Sequence, residues 1–225
     1  MADQAGGPRV RVDMHIHTRT SFDSLNDPDK VLRAARACGL DHIIITDHNA
    51  IDGALQLHEV DPSLVLVGEE VKTREGVDII GIFLSELIPM NTPARETCKR
   101  IRDQGGVVYL PHPFDTSRSG GAPLLSELRD LIDVVEVHNA RCMRAAINRQ
   151  AEDWARAHGK LMGAGSDAHT IAEIGRGYVE MPSFEPDRAS FLAALQHGEV
   201  TGRTMSSPLC HLFSTYAKLR KKVPL

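Results

Sequence analysis

Aromatic residues are scarce in this 225-residue chain, at 4%, and that scarcity argues against a base-stacking platform for single-stranded nucleic acid. Charge of one sign is not in excess either. The 26 basic and 30 acidic residues leave a net charge of −4, which supplies no global field to draw in a polyanion, so nucleic acid is not favoured as a partner. No apolar run reaches membrane-spanning length, and the polar, glycine-containing start from Met1 to Pro8 lacks the basic-then-apolar layout of a signal peptide. The four cysteines, Cys38, Cys98, Cys142 and Cys210, are scattered, with no Cys-x-x-Cys pair. They read as reduced, packed thiols rather than as a secreted disulfide framework. A cytoplasmic protein without membrane contact is the expectation. Internal repeats, low-complexity tracts and linkers are also missing. The expected organisation is a flexible N-terminal segment over residues 1–8 and one domain over 9–225, long enough to bury a single full core. Nothing in these features fixes an oligomeric state.

What the chain does have is alternation. Short Val/Ile/Leu-rich runs over residues 10–15, 43–47, 64–70, 79–84, 107–111, 134–138 and 161–166 read as strands, and residues 178–181 as an eighth. Between them lie helical patterns with start signals, Asp27-Pro28 before 30–38 and Thr92-Pro93 before 94–104, and with Gly39 and Gly105 as stops. Two closing helices are read over 186–197 and 209–222. Parallel strands joined by helical crossovers follow. One connection breaks the rule: only residues 72–77, with the turn signal Glu75-Gly76, separate the third and fourth strands. That link is too short for a helix and implies a hairpin.

Several strand candidates end in a polar patch holding His, Asp or Glu: Asp13-Met14-His15-Ile16-His17, Thr46-Asp47-His48, Gly68-Glu69-Glu70, Pro111-His112-Pro113 and Ser166-Asp167-Ala168-His169. Ser21-Phe22-Asp23 follows the first of them closely. An apolar strand that ends in a ligand type places it at the carboxyl rim, where α/β enzymes gather their chemistry. With eleven histidines, a lone His-x-His carries little weight. Residues two apart on a strand share a face, however, so His15 and His17 can grip one ion. Glu70 has two oxygens with which to bridge neighbouring ions, and Glu69 takes its place if the register slips by one. Imidazoles suit Zn, Mn or Fe, and the carboxylates harden the site toward Mn or Mg.

These motifs, in this order and across most of the chain, resemble the polymerase and histidinol phosphatase (PHP) family of metal-dependent phosphoesterases. The resemblance implies a distorted (β/α)7 barrel with two or three divalent ions in its mouth. It implies that His15, His17, Glu70 and Asp167 hold the first ion, that Glu70, His112 and the residue opening the fourth strand hold the second, and that Asp23, His48 and His169 hold the third. Where members often carry histidine at the fourth-strand position, this chain has Asp78, a harder and charged ligand.

The implied function is hydrolysis of a phosphoester by a metal-activated hydroxide, with no side-chain nucleophile. A small phosphomonoester such as a nucleotide, sugar or amino-alcohol phosphate is the first choice. A phosphodiesterase or exonuclease acting on nucleotides or oligonucleotide ends comes second, and a non-catalytic, metal-stabilised binding module third. Amide or lactone hydrolysis is disfavoured, because such sites use a bridging lysine carbamate and the nearest lysine, Lys72, reads as part of the hairpin link. Arg19, Arg141 and Arg176 are candidate phosphate clamps. His138, with Glu136 and Asn139, is placed at the mouth as a substrate or supporting group, while Asp13 and Asp47 are read as orienting neighbouring imidazoles or loops. His42, His58, His158, His197 and His211 are read as structural or surface residues.

Overall fold

The computed structural model describes residues 7–118 and 120–222. Residues 1–6 of the expected N-terminal segment lie outside this description. Nine strands form one sheet, in the order β7-β6-β5-β4-β3-β2-β1-β8-β9. They span Arg9–Ile16 (β1), His42–Ile45 (β2), Val65–Lys72 (β3), Asp78–Ile82 (β4), Val107–Leu110 (β5), Val134–Asn139 (β6), Leu161–Gly165 (β7), Gly177–Pro182 (β8) and Glu199–Arg203 (β9). Helices α1 (Pro28–Ala37), α2 (Asp52–Val60), α3 (Ala94–Asp103), α4 (Leu125–Leu128) and α5 (Ala145–Ala157) lie between the first seven strands, and α6 (Arg188–Leu195) and α7 (Cys210–Lys222) follow. The sheet curls into a nearly closed α/β barrel. The N-terminal half of β1 pairs antiparallel with β8, while its C-terminal end meets the segment just beyond β7. There Asp167 N donates to His15 O at 2.7 Å and His17 N to Ala168 O at 3.0 Å.

The hairpin expected between the third and fourth strands is present, with Lys72 directly opposite Asp78 and Glu70 opposite Ile80. Gly76 makes the turn at φ +82°, a conformation that costs a residue without a Cβ nothing. Lys72 belongs to β3 itself rather than to the connecting link. Because β4 runs antiparallel to both neighbours, its first residue, Asp78, lies at the same rim as the last residues of the parallel strands. Asp27 caps α1 through Lys30 N. At α3 the expected Thr92-Pro93 start is shifted: Pro93 is the N-cap, and Ala94 N is satisfied by Glu75 Oε2 at 2.9 Å. The hairpin turn therefore caps the next helix. β9 had no sequence expectation, and its exposed residues alternate with half-buried Val200 and buried Gly202.

Two apolar layers position the rim. Inside the barrel, Val12, Met14, Ile44, Leu66, Ile80, Ile82, Val107, Tyr109 and Val134 form a floor, closed below by Phe191 of α6. Outside, Ile43, Ile45, Val65, Val67, Ile79, Val108, Val135 and Val137 meet the helices. Between Asp13 and Ile16, three steps of β1 span two of β2. Such an irregularity re-aims side chains: Met14 joins the inner layer and Ile16 the outer one, and the rim histidines follow at 15 and 17. No helix among the described residues is long and apolar enough to cross a membrane.

Candidate metal centre

The floor of the barrel mouth is built on Glu70. Its Oε2 lies 3.2 Å from His15 Nε2, 3.3 Å from His17 Nε2 and 3.2 Å from His48 Nδ1, and its Oε1 lies 3.2 Å from His112 Nε2. Asp167 Oδ1 approaches the same pair from β7, 3.7 Å from His15 Nε2 and 3.4 Å from His17 Nε2. Asp23 lies across from His169 Nε2 at 3.2 Å and His48 Nε2 at 3.7 Å. All nine expected metal-site residues thus converge on one rim, with Asp78 lining the same cavity. Among the described residues, three groups each bring donor atoms within 4.8 Å of one another: His15, His17 and Asp167; His15, Glu70 and His112; and His17, His48 and His169.

Three of the rim histidines are aimed by partners on their far nitrogens. His15 Nδ1 meets Glu136 Oε1 at 3.0 Å, His17 Nδ1 meets Ser21 Oγ at 3.0 Å, and His169 Nδ1 meets the Asp167 carbonyl at 2.8 Å. Each pairing places the ring proton on Nδ1 and leaves the Nε2 lone pair for the mouth. Asp47 secures the first loop, accepting from Thr18 N, Thr18 Oγ1 and Ser21 Oγ at 2.6, 2.6 and 2.9 Å. Asp13 does the same for the seventh strand end, accepting from Ser166 N at 2.9 Å and Gly175 N at 3.0 Å; burial pushes its carboxyl up to about 7. His112 and Asp167 sit at φ +29° and +53°, left-handed backbone of the kind concentrated at functional sites.

The donor set fits cations. The Nε2 atoms of His15 and His17 face each other at 3.0 Å, a separation at which two lone pairs repel unless a proton or a metal ion lies between them. Electrostatics point the same way. Burial opposes charge on His15, yet Asp167, Glu70 and Glu136 outweigh it and raise its pKa well above the ordinary value. Burial works against Glu70 as well, and His48 and His15 nevertheless hold its carboxyl far below the usual range. For Asp167, His15 and Arg118 overcome burial in the same direction.

Of the four expected substrate groups, Arg141 lines the mouth cavity and Arg19, Arg176 and His138 do not. Arg19 turns outward to Asp27, Nη1 to Oδ2 at 3.3 Å, with 59% of its side chain exposed. Arg176 donates to the carbonyls of Ala172 and Met205, and His138 is buried against Asn148. None of the three lines the mouth cavity. Arg141 does line it, though its guanidinium is engaged by Cys210 O, Ser214 Oγ and Glu173. The sequence reading missed Arg118. Its Nη1 binds Asp167, its Nε binds Asp115 Oδ2 at 3.0 Å and its Nη2 binds Asn139 Oδ1 at 3.2 Å, and it faces the cavity. A signal was present: Asp115-Thr116-Ser117-Arg118 follows the His112 strand end directly, on the rim that carries the other ligand types. His211, read as structural, also lines the cavity, as does Lys218.

The register question at residues 69 and 70 is settled by geometry. Glu69 points outward, where its Oε2 accepts from Ile88 N at 2.9 Å. Burial raises its carboxyl from 4.5 to about 7. The folded state therefore holds this proton between about pH 4.5 and 7, and the associated stability is lost as pH rises through 7. Glu69→Gln is expected to remove that loss. The variant should gain about 2–3 kcal/mol over the parent between pH 4.5 and pH 8, read from urea denaturation at the two pH values; parallel pH profiles would contradict it.

The barrel rim gathers imidazoles and carboxylates in groups with the donor set of a metal centre. The sequence profile of the PHP domain matches residues 13–87 and that of the PHP-associated domain residues 146–200. The uncharacterized protein MJ0417 of Methanocaldococcus jannaschii is 34% identical over 191 residues, covering 82% of this chain and 76% of that protein. The chain belongs to the PHP family. Two solved structures share the fold at 16% identity: the lesion-specific endonuclease EndoQ of Pyrococcus furiosus (TM-score 0.66, 89% of this chain and 60% of that one) and a proposed metal-dependent phosphoesterase of Bifidobacterium adolescentis (TM-score 0.58, 95% and 97%).

Proposed function

We propose that the protein hydrolyses a small phosphomonoester at the barrel mouth, with His15, His17, Asp23, His48, Glu70, His112, Asp167 and His169 holding divalent ions. The observation that carries this reading is the cavity itself, about 530 Å³ in volume, with the Glu70-centred cluster as its floor and Arg118, Lys72 and Lys218 in its lining. That size suits a nucleotide-sized ligand, and the lining cations suit a phosphoryl group. Divalent ions held by these residues would supply a water of lowered pKa and neutralise charge on the phosphoryl oxygens.

The chain's own residues supply the preorganisation. Glu136 holds the proton of His15 Nδ1 and also accepts from the backbone N–H of His112 at 2.8 Å, fixing one imidazole and the main chain that carries a second. Ser21 relays the Asp47 carboxylate to His17. Arg118, tethered by Asp115 and Asn139, presents a guanidinium beside Asp167, where a planar fork can take phosphoryl oxygens. A phosphodiester is the second reading. It is favoured by Phe22, half exposed at the rim with Lys218 Nζ 5.1 Å from its ring centroid, a pairing able to seat a nucleoside beyond the phosphate.

The test is turnover of p-nitrophenyl phosphate and bis-p-nitrophenyl phosphate by Mn²⁺-loaded protein. Hydrolysis is expected to favour the monoester in kcat/KM by at least an order of magnitude, and EDTA or His15→Ala should abolish it. A preference for the diester would transfer the assignment to the second reading. Inactivity on both, with the metals demonstrably bound, would leave a binding module.

A further inference from the structure

The hairpin register places Lys72 and Asp78 directly opposite each other, and cross-strand partners of this kind project to the same face. That face is also the face of Glu70, two residues before Lys72 on the same strand. The pair is closed: Lys72 Nζ lies 3.1 Å from Asp78 Oδ1 and 3.3 Å from Oδ2, so one ammonium caps both oxygens of the carboxylate. Both residues line the mouth cavity, Asp78 with 7% of its side chain exposed and Lys72 with 34%.

A divalent ion between Glu70, His112 and Asp78 would have to share the Asp78 carboxylate with this ammonium. Two cations on one carboxylate stand roughly 4 Å apart, and their repulsion in a partly buried site amounts to several times the thermal energy. Cations also approach the other rim carboxylates, but Lys218 Nζ stands farther off, 3.7 Å from Asp23, and Arg118 takes the Oδ2 of Asp167 while its Oδ1 faces His15 and His17.

Resting on the hydrolase reading above, we infer that Lys72 is the fixed cation of the second position. The ammonium and Asp78 together occupy the place of an ion, so the chain holds two divalent ions and keeps Lys72 as the third positive centre facing the substrate.

Metal stoichiometry tests this without reference to turnover. Full-length protein is equilibrated by dialysis against low-micromolar free Mn²⁺, and bound metal per chain is measured by plasma mass spectrometry. The wild type is expected to hold two ions, Lys72→Met three, because Asp78 is released as a ligand, and Asp78→Asn two. Matching thermal melts show that the variants are folded. Any other non-zero count in the wild type, an unchanged count in Lys72→Met, or a drop in Asp78→Asn would overturn the assignment. Absence of bound Mn²⁺ altogether would instead sink the metal-hydrolase reading on which it rests.

Discussion

Glu70→Gln is expected to lower kcat/KM for phosphoester hydrolysis by about a thousandfold, equivalent to about 4 kcal/mol of transition-state stabilisation. The same substitution should weaken Mn²⁺ binding in a direct titration. The two side chains are nearly isosteric, so the effect isolates charge and lone pairs. Glu70 meets four imidazoles, with three nitrogens at 3.2–3.3 Å from Oε2 and one at 3.2 Å from Oε1. An amide in its place keeps one acceptor and turns the other atom into a donor aimed at imidazole lone pairs. It also removes the negative charge that these buried histidines share. His17 and His48, whose pKa values burial already depresses, would then lose an opposing charge. A variant retaining more than about a tenth of parental kcat/KM would show that Glu70 does not lie at the centre of the chemistry.

Much of this rim was legible because its logic is local. An apolar run that ends in His, Asp or Glu identifies both a strand and the end at which its polar residue sits, which is why His48, Glu70, His112 and Asp167 were found from the sequence. The hairpin was equally legible, since Glu75-Gly76 has only one reading between two short strands. The features missed depend on contacts distant in sequence. Arg118 has no periodic signature, and its place is fixed by Asp115, Asn139 and Asp167 across three strand ends. The run from Lys218 to Lys222 reads as a solvated helix end. In the folded chain Lys221 donates to the carbonyls of Arg19 and Ser21, and Lys218 lies 3.7 Å from Asp23. That docking turns α7 into a wall of the cavity and brings His211 to its lining. Arg19 looked like a clamp because it neighbours the first motif, and it is drawn outward by Asp27, a helix cap already in need of a cation.

The barrel's closure predicts a second large effect, in Gly165→Ala. Closure requires β1, β7 and β8 to meet at one point, and glycines stand on both sides of it. A Cβ on Gly165 would lie 2.3 Å from His15 Cβ and 2.9 Å from Glu136 Oε1, and one on Gly177 would lie 2.2 Å from the Gly165 carbonyl oxygen. Neither neighbour is the free end of a flexible side chain: one is the Cβ of a rim histidine and the other is backbone. The added methyl must therefore push β7 away from β1, which breaks the bonds from Asp167 N to His15 O and from His17 N to Ala168 O. A loss of at least about 3 kcal/mol is expected, the upper end of overpacking penalties, and for a chain of this length it appears as a fall in Tm of roughly 6–12 °C. Mn²⁺ affinity should fall with it, because the displaced residue carries the first imidazole of the cluster. Gly7→Ala, where a Cβ meets nothing within 4 Å, serves as the control and should leave both measurements unchanged. If Gly165→Ala melted with the parent and bound Mn²⁺ as tightly, the rim would not depend on this closure, and His15 would have to be held by Glu136 alone.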